Sequence, residues 1–353
     1  MKTLLVTGGC GFIGSNFIHY LFEETDFSAN LVNVDKLTYA GNPKNLEDIS
    51  RRFQDRYTFV HADIADSAAM ARVFADHPIS AVCHFAAETH VDRSIAGPEA
   101  FVMTNIMGTF RLLEESRKLP GLELFHLVST DEVFGSLGQD GFFVEHSPYK
   151  PNSPYAASKA SADLLARSYF KTYGFPFTIS HCGNNYGPYQ FPEKLVPLVI
   201  ENALEGRPIP VYGKGDNVRD WLYVKDHCAA IWRIMQKSRP GQTYNVGGHG
   251  EVSNINLISR ICDTLDRVAG PADFGPRKSL ITFVQDRPGH DFRYALDTRK
   301  IQKELAWTPS VTLETGLENT ICWYLENRKW VKSVKNGEYK EWITRQYGLC
   351  GLQ

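Results

Sequence analysis

No apolar run in this 353-residue chain approaches the ~18–20 residues that a helix needs to span a bilayer, so no membrane partner is expected. Charge of one sign is also missing. Lys plus Arg number 38 and Asp plus Glu 40, a formal net charge of −2. That balance gives no electrostatic footprint for nucleic acid or for an acidic membrane surface. Cysteine is sparse: seven, an odd number, far apart, with no Cys-x-x-Cys pair. The spacing argues against a disulfide framework and against a zinc site, and no metal is expected. The implied compartment is a reducing one, the cytoplasm. No internal repeat or low-complexity tract is visible. The start, Met1-Lys2-Thr3-Leu4-Leu5-Val6, has one basic residue and a short apolar run that glycines follow at once, so it reads as a first strand and not as a signal peptide. What is present is ordinary for a folded protein: 43% hydrophobic and 22% charged residues. The length is ample for a large core and suggests about two domains.

Through residue 182, short apolar runs alternate with amphipathic stretches. Thr3–Thr7, Asn30–Asp35, Tyr57–Ala62, Ala81–Ala86, Leu122–Ser129 and Phe175–Cys182 read as buried strands. Ile13–Thr25, Ser67–Asp76, Phe101–Lys118 and Tyr155–Tyr173 read as helices between them. Strand–helix alternation predicts an α/β protein, a Rossmann-type doubly wound parallel sheet with helices on both faces. After Cys182 the texture changes. Gly183–Lys194 and residues 206–220 read as loops, Leu195–Leu204, Asn256–Val268 and Thr298–Glu304 as helices, and Thr243–Val246 as a returning strand. The expected organisation is a cofactor-binding domain over 1–182 with some later segments returning to it, a smaller C-terminal α/β substrate-binding lobe mainly over 183–325, and a tail over 326–353.

Thr7-Gly8-Gly9-Cys10-Gly11-Phe12-Ile13-Gly14 follows the first strand and opens the first helix. Gly8 suits a tight turn, Gly11 lets the backbone approach a pyrophosphate, and Gly14 allows close helix–strand packing. The helix N-terminus offers free N–H groups and a positive dipole end to the phosphates. Asp35 ends the next strand, about 20 residues on, where a carboxylate accepts from a ribose 2′-OH and repels a 2′-phosphate. NAD is therefore expected over NADP, although Lys36 lies beside Asp35. Asp63 ends the third strand, where it would meet the adenine edge.

Tyr155-Ala156-Ala157-Ser158-Lys159 opens a predicted helix, with its ends on one face. An ammonium near a phenol stabilises the phenolate and lowers its pKa from the usual ~10. A tyrosine so tuned can take a proton from an alcohol that is being oxidised. Lys159 can also hold ribose hydroxyls. Alone, Tyr-x-x-x-Lys is common on exposed helix faces, and the preceding glycine turn is what gives it weight. Ser129-Thr130-Asp131-Glu132 follows an apolar strand, at the carboxyl rim where doubly wound sheets bind ligands. Adjacent carboxylates there repel, so one can serve as acid and the other as base. Thr130 sits where a substrate hydroxyl would be bonded.

These motifs resemble the extended short-chain dehydrogenase/reductase family, and within it the nucleotide-sugar dehydratases. Asn33–Gly41, Ala86–Asp92, Ser129–Val133, Asn184–Lys194, Arg219–Val224 and Asp286–Asp291 carry the likeness, which runs to about residue 330. The resemblance implies that dTDP-glucose is converted to dTDP-4-dehydro-6-deoxy-glucose plus water. C4 is transiently oxidised with Tyr155 as base, Glu132 takes the C5 proton, Asp131 protonates the departing C6 hydroxyl, and tightly bound NAD is regenerated. Phe12, Ile13, Thr38, Ile64, Ala86 and Ala87 are then expected to join the glycines, Asp35, Lys36, Asp63, Tyr155 and Lys159 around the cofactor. Lys194 and Arg219 resemble cations for the diphosphate, a group that arginine grips bidentately. Asn185 and Asn254 resemble donors to it and to the sugar, and Glu88, Asn184 and Leu195 accompany them. Pro210 and Tyr212 resemble a thymine contact, with Arg287 and His290, or Tyr294 nearby, closing the pocket. Two departures stand out: Phe134 where a tyrosine is typical, and a slightly different His181-Cys182-Gly183. Family members usually pair as homodimers through helices that here fall at about 101–118 and 155–173, whose apolar residues cover more than one face.

Other readings of the same scaffold are a 4,6-dehydratase acting on UDP- or CDP-glucose and a nucleotide-sugar 4-epimerase. An epimerase has no use for an acid and a base at C6 and C5. Thymine and uracil differ by one methyl, worth only ~1–3 kcal/mol of discrimination. A non-catalytic dinucleotide sensor would have no reason to keep Tyr155, Lys159, Asp131 and Glu132 together.

Overall fold

The computed structural model describes residues 1–286 and 289–335. Arg287 and most of the expected 326–353 tail lie outside them. Seven strands form one parallel sheet: β1 (Thr3–Thr7), β2 (Asn30–Asp35), β3 (Tyr57–His61), β4 (Ala81–His84), β5 (Leu124–Thr130), β6 (Phe177–Cys182) and, after three strands elsewhere, β10 (Gln242–Val246). Their order is β10-β6-β5-β4-β1-β2-β3, so the chain winds outward from β1 in both directions.

Strand residues alternate between two cores, as the two-residue period requires. Leu4 and Val6 pack with Phe17, Ile18 and Leu21 of the Phe12–Glu24 helix and with Cys228 and Ile231 of the Val224–Lys237 helix. Leu5, Val34, Val82 and Phe125 face the other way, against Met70, Leu112, Leu113, Ala162 and Ala166. Helices thus cover both faces, as the alternation predicts. The returning strand over 243–246 is present as β10, parallel to β6.

A third core joins β7 (Asn184–Tyr186), β8 (Ile209–Tyr212), β9 (Val218–Tyr223), β11 (Glu251–Ser253) and β12 (Ile281–Val284) to their helices. Tyr186, Val199, Ile200, Trp221, Ile258 and Ile321 fill it. Three segments differ from the sequence reading. The supposed loops over Gly183–Lys194 and 206–220 contain β7, β8 and the start of β9, with β7 and β9 side by side in a three-stranded sheet. The expected continuous helix over Phe101–Lys118 is interrupted by a π-helical turn, Val102–Gly108, before Thr109–Arg117. The wider turn presents buried Asn105 to its neighbours: its amide bonds Glu88 N–H at 2.8 Å, Glu88 carbonyl at 3.0 Å and Ser158 Oγ at 2.8 Å. Among the described residues no helix is long and apolar enough to cross a membrane. Among the described residues six cysteines carry free thiols, five of them buried.

Candidate active site

The glycine turn is shaped by close approach. Gly8 has φ +72°, and a Cβ on it would stand 2.6 Å from the Ala86 nitrogen. A Cβ on Gly14 would meet the Gly8 carbonyl oxygen at 2.3 Å. Gly11 caps the Phe12–Glu24 helix with no side-chain hydrogen bond, which leaves the first-turn N–H groups for a ligand. At the end of β2, Asp35 accepts from Cys10 N–H at 2.9 Å and from Leu37 N–H at 2.8 Å, so its carboxylate is fixed at the strand end. Lys36 turns away to pair with Asp63 at 2.6 Å. A diphosphate at the turn and a ribose at Asp35 fit this cradle, and the lysine that weakened the preference for NAD is already engaged.

One continuous cleft runs from this turn across the carboxyl ends of β1, β4 and β5 to Lys194. All the expected cofactor residues line it: Gly8, Gly11, Phe12, Ile13, Gly14, Asp35, Lys36, Thr38, Asp63, Ile64, Ala86, Ala87, Tyr155 and Lys159. Glu88, Thr130, Asp131, Glu132, Asn184, Asn185 and Lys194 line it too.

Local chemistry sets each group. Thr130 ends β5 and caps the single turn Asp131–Phe134, its hydroxyl accepting from Glu132 N–H at 3.3 Å. Gly135, at φ +86°, closes that turn where a Cβ would strike the Lys150 carbonyl at 2.4 Å. The facing helix, Pro154–Tyr173, starts with proline at its first position and Ser153 Oγ accepting from Ala156 N–H at 3.1 Å. That start aims Tyr155 into the cleft, whose lining it shares with Thr130, Asp131 and Glu132.

Asp131 is 2% exposed, and its Oδ2 has no hydrogen-bond partner. Burial, reinforced by the neighbouring charge of Glu132, pushes its carboxyl well above the usual carboxylate range, against the opposing pull of Arg219. A carboxyl pushed toward its protonated form beside a second acidic side chain is compatible with one acid and one base. The tyrosine corrects an expectation. Its phenol is pushed up, not down, first by burial and then by Glu132. Lys159 does not offset this: its ammonium donates to the Val128 carbonyl at 2.8 Å, and burial holds its own pKa below the usual lysine value.

The remaining expected substrate residues gather in a second group. Arg219, 5% exposed, donates to the carbonyls of Val218, Asp291 and Phe292, and its guanidinium lies 4.4 Å from the Tyr294 ring centre. Tyr212 meets His290 edge to face at 6.2 Å, and His290 pairs with Asp286 at 2.6 Å. Pro210 is buried in β8, Leu195 opens the Leu195–Glu205 helix, and Asn254 bonds through its N–H to the Asn217 carbonyl with its own Oδ1 unpartnered. None of these six lines the main cleft. Arg219 links the groups, since its charge is felt at Asp131. Asn185 points its amide toward the Gly183 carbonyl and His227 instead of into open space. The sequence reading did not single out Tyr39 and Glu193, which line the cleft around Arg93: Glu193 pairs with that guanidinium at 3.1 Å, and Tyr39 lies beneath it at 3.8 Å. Their spacing along the chain gives no signal for this cluster.

Sheet, glycine turn and tyrosine–lysine pair together define a Rossmann-fold enzyme of the short-chain dehydrogenase/reductase type. The chain belongs to the family described as GDP-mannose 4,6 dehydratase, whose model matches residues 5–320. It is 51% identical to dTDP-glucose 4,6-dehydratase 1 of Escherichia coli (strain K12), an alignment that covers 98% of each chain. The dTDP-glucose 4,6-dehydratase of Streptomyces venezuelae, solved with NAD bound, superposes with a TM-score of 0.88 at 46% identity, over 95% of this chain and 100% of that one. The dTDP-glucose 4,6-dehydratase of Bacillus anthracis, also solved in complex with NAD, superposes with a TM-score of 0.84 at 43% identity, over 95% and 100%.

Proposed function

We propose that this chain is an NAD-dependent hydro-lyase that converts dTDP-glucose to dTDP-4-dehydro-6-deoxy-glucose and water. One observation carries the reading: the Tyr155 phenol and the Asp131–Glu132 doublet line the same cleft as the glycine turn. The glycine turn, Asp35, Lys36, Thr38, Asp63, Ile64, Ala86, Ala87 and Lys159 hold the cofactor. NAD, when bound, supplies the oxidant for C4, the reductant for C6 and a positive nicotinamide ring, the charge that this phenol lacks.

Tyr155 takes the C4 hydroxyl proton, with Thr130 orienting that hydroxyl. The C4 ketone acidifies the C5 proton, and Glu132 removes it. Asp131, whose burial favours the protonated carboxyl, gives its proton to the C6 hydroxyl, which leaves as water. Glu132 returns the proton to C5 as C6 is reduced, so acid, base and cofactor end in states from which a short proton exchange restores the start. Lys194 and Arg219 serve the diphosphate, and the Tyr212–His290 group serves the thymine, with Glu88, Asn184, Asn185 and Asn254 around the sugar and diphosphate.

Exposed Ile95, Val102, Met103 and Leu164, each more than two-fifths exposed, lie on or beside the two helices expected to pair, and we assign them to a homodimer interface. The unpaired thiols suit the cytoplasm. Incubation with dTDP-glucose followed by alkali tests the activity: a 4-keto-6-deoxy sugar develops ultraviolet absorbance, whereas an epimerised sugar develops none and would refute the reading.

A further inference from the structure

Behind the acidic doublet lies a buried polar cluster that no step above uses. Asp163 stands on the Pro154–Tyr173 helix, one turn beyond Lys159 on the stripe that starts at Tyr155. Its Oδ2 accepts from Ser129 Oγ at 2.9 Å, from the Tyr149 hydroxyl at 3.0 Å and from His181 Nε2 at 2.9 Å. The side chains of Asp163 and His181 are both fully buried. With Nε2 donating, the imidazole's unpartnered atom is Nδ1.

The cluster touches the catalytic turn on both sides. Ser129 immediately precedes Thr130-Asp131-Glu132, and His181 is its register partner on β6. Phe134, the last residue of the Asp131–Phe134 turn, meets the His181 ring edge to face at 4.8 Å. Phe134 also lies 5.5 Å from the Tyr149 ring and stacks on Phe143 at 5.1 Å. The two departures from the family text, Phe134 and the stretch beginning at His181, are therefore in contact. The four residues of chain between the two anchors include the acid and the base, and both anchors end on one carboxylate–imidazole pair.

We propose that His181, held by Asp163, is a positioning residue for the water-elimination half of the reaction, gripping the Asp131–Glu132 turn through Ser129 before it and Phe134 after it. The inference rests on the dehydratase reading and adds a role to that site. Tyr155 and Lys159 share their helix with Asp163, but its first turn is fixed by the Ser153 cap and Lys159 by the Val128 carbonyl, so oxidation at C4 depends less on the imidazole than elimination does. Loosening the grip displaces Asp131 and Glu132 from C6 and C5 and leaves the phenol in place.

The test compares the holoenzyme with His181→Leu, which fills similar volume without an N–H, and His181→Gln, which keeps an amide N–H for Asp163. The readouts are kcat, KM and the fraction of bound cofactor that is reduced in steady-state turnover of dTDP-glucose. In the leucine variant kcat should fall about tenfold or more, as for loss of a hydrogen bond to a charged group, with KM changed less than about twofold. The reduced fraction should rise, because oxidation continues while elimination lags. Glutamine should recover kcat to within about threefold of the parent. A purely structural role lowers the active fraction without moving that partition, so a leucine variant with the parent's reduced fraction overturns the inference. If leucine at 181 prevents folding, Ser129→Ala releases the first anchor with a smaller change; the same rise is expected, and its absence overturns the inference equally. A parent enzyme that makes no 4-keto-6-deoxy sugar would instead defeat the functional reading, before any variant is compared.

Discussion

Asp131→Asn separates what burial does for chemistry from what it does for stability. In the parent, Thr130 Oγ1 lies 3.3 Å from Oδ1, while Oδ2 has no partner. Asparagine keeps the Oδ1 acceptor and puts an N–H where the protonated carboxyl has its O–H, so packing and hydrogen bonding are nearly unchanged. What is lost is a transferable proton. Removing a general acid costs about 100- to 10,000-fold, so formation of the 4-keto-6-deoxy sugar should fall by that range while reduced cofactor accumulates. Stability should move the other way. The folded carboxyl titrates above its unfolded value, mainly because of burial and then Glu132. A group of that kind contributes its full stability below the unfolded pKa of ~3.9 and loses it as pH rises through the folded value. Asparagine does not titrate and keeps its contribution. The two proteins should therefore melt alike near pH ~4, and the variant should melt progressively higher toward neutrality, at about 1.4 kcal/mol for each unit of the raised pKa. Thermal melts across pH, together with the alkali assay and cofactor absorbance, check both halves. Dehydration within about threefold of the parent would remove Asp131 from the acid's role, and a melting difference independent of pH would show that its carboxyl is not held neutral.

Tyr155→Phe should cut turnover about 100- to 10,000-fold with no reduced cofactor accumulating, since oxidation is the step blocked; accumulation as in the Asp131 variant would contradict this division of labour. In Gly14→Ala the new Cβ would lie 2.3 Å from the Gly8 carbonyl, so the turn must open, and the purified protein should carry little NAD when denatured and chromatographed; parent-like cofactor content would refute the fit of the cradle. Val102→Glu combined with Leu164→Glu charges two exposed apolar positions, 45% and 57% exposed, and should give monomers in sedimentation; an unchanged dimer would put the interface elsewhere.

The parts of this protein that could be read along the chain are those whose physics is local. Strand, glycine turn and helix follow one another within residues 3–24, so the cofactor cradle is written in consecutive letters. Tyr155 and Lys159 are one helical turn apart, and the acidic doublet is contiguous at a strand end. What escaped is non-local. The three residues of β7 carry no periodicity of their own and become a strand only because β9 offers ladder partners some 37 positions later. The interrupted helix over 99–117 has an ordinary amphipathic pattern, and the reason for its wide turn, the Asn105–Ser158 bond, lies on another helix. Lys159 stands where the spacing puts it, yet its ammonium bonds a carbonyl of β5, and the phenol's environment is set by burial that no four-residue spacing reports. His181 is the sharpest case. In the sequence it is a small departure at the end of an apolar strand. Three-dimensional register places it opposite Ser129 and under Phe134, where it can act on a turn about 50 residues earlier. A motif therefore identifies the groups that perform the chemistry, while the residues that hold those groups at working distance are found only through partners that the chain order does not reveal.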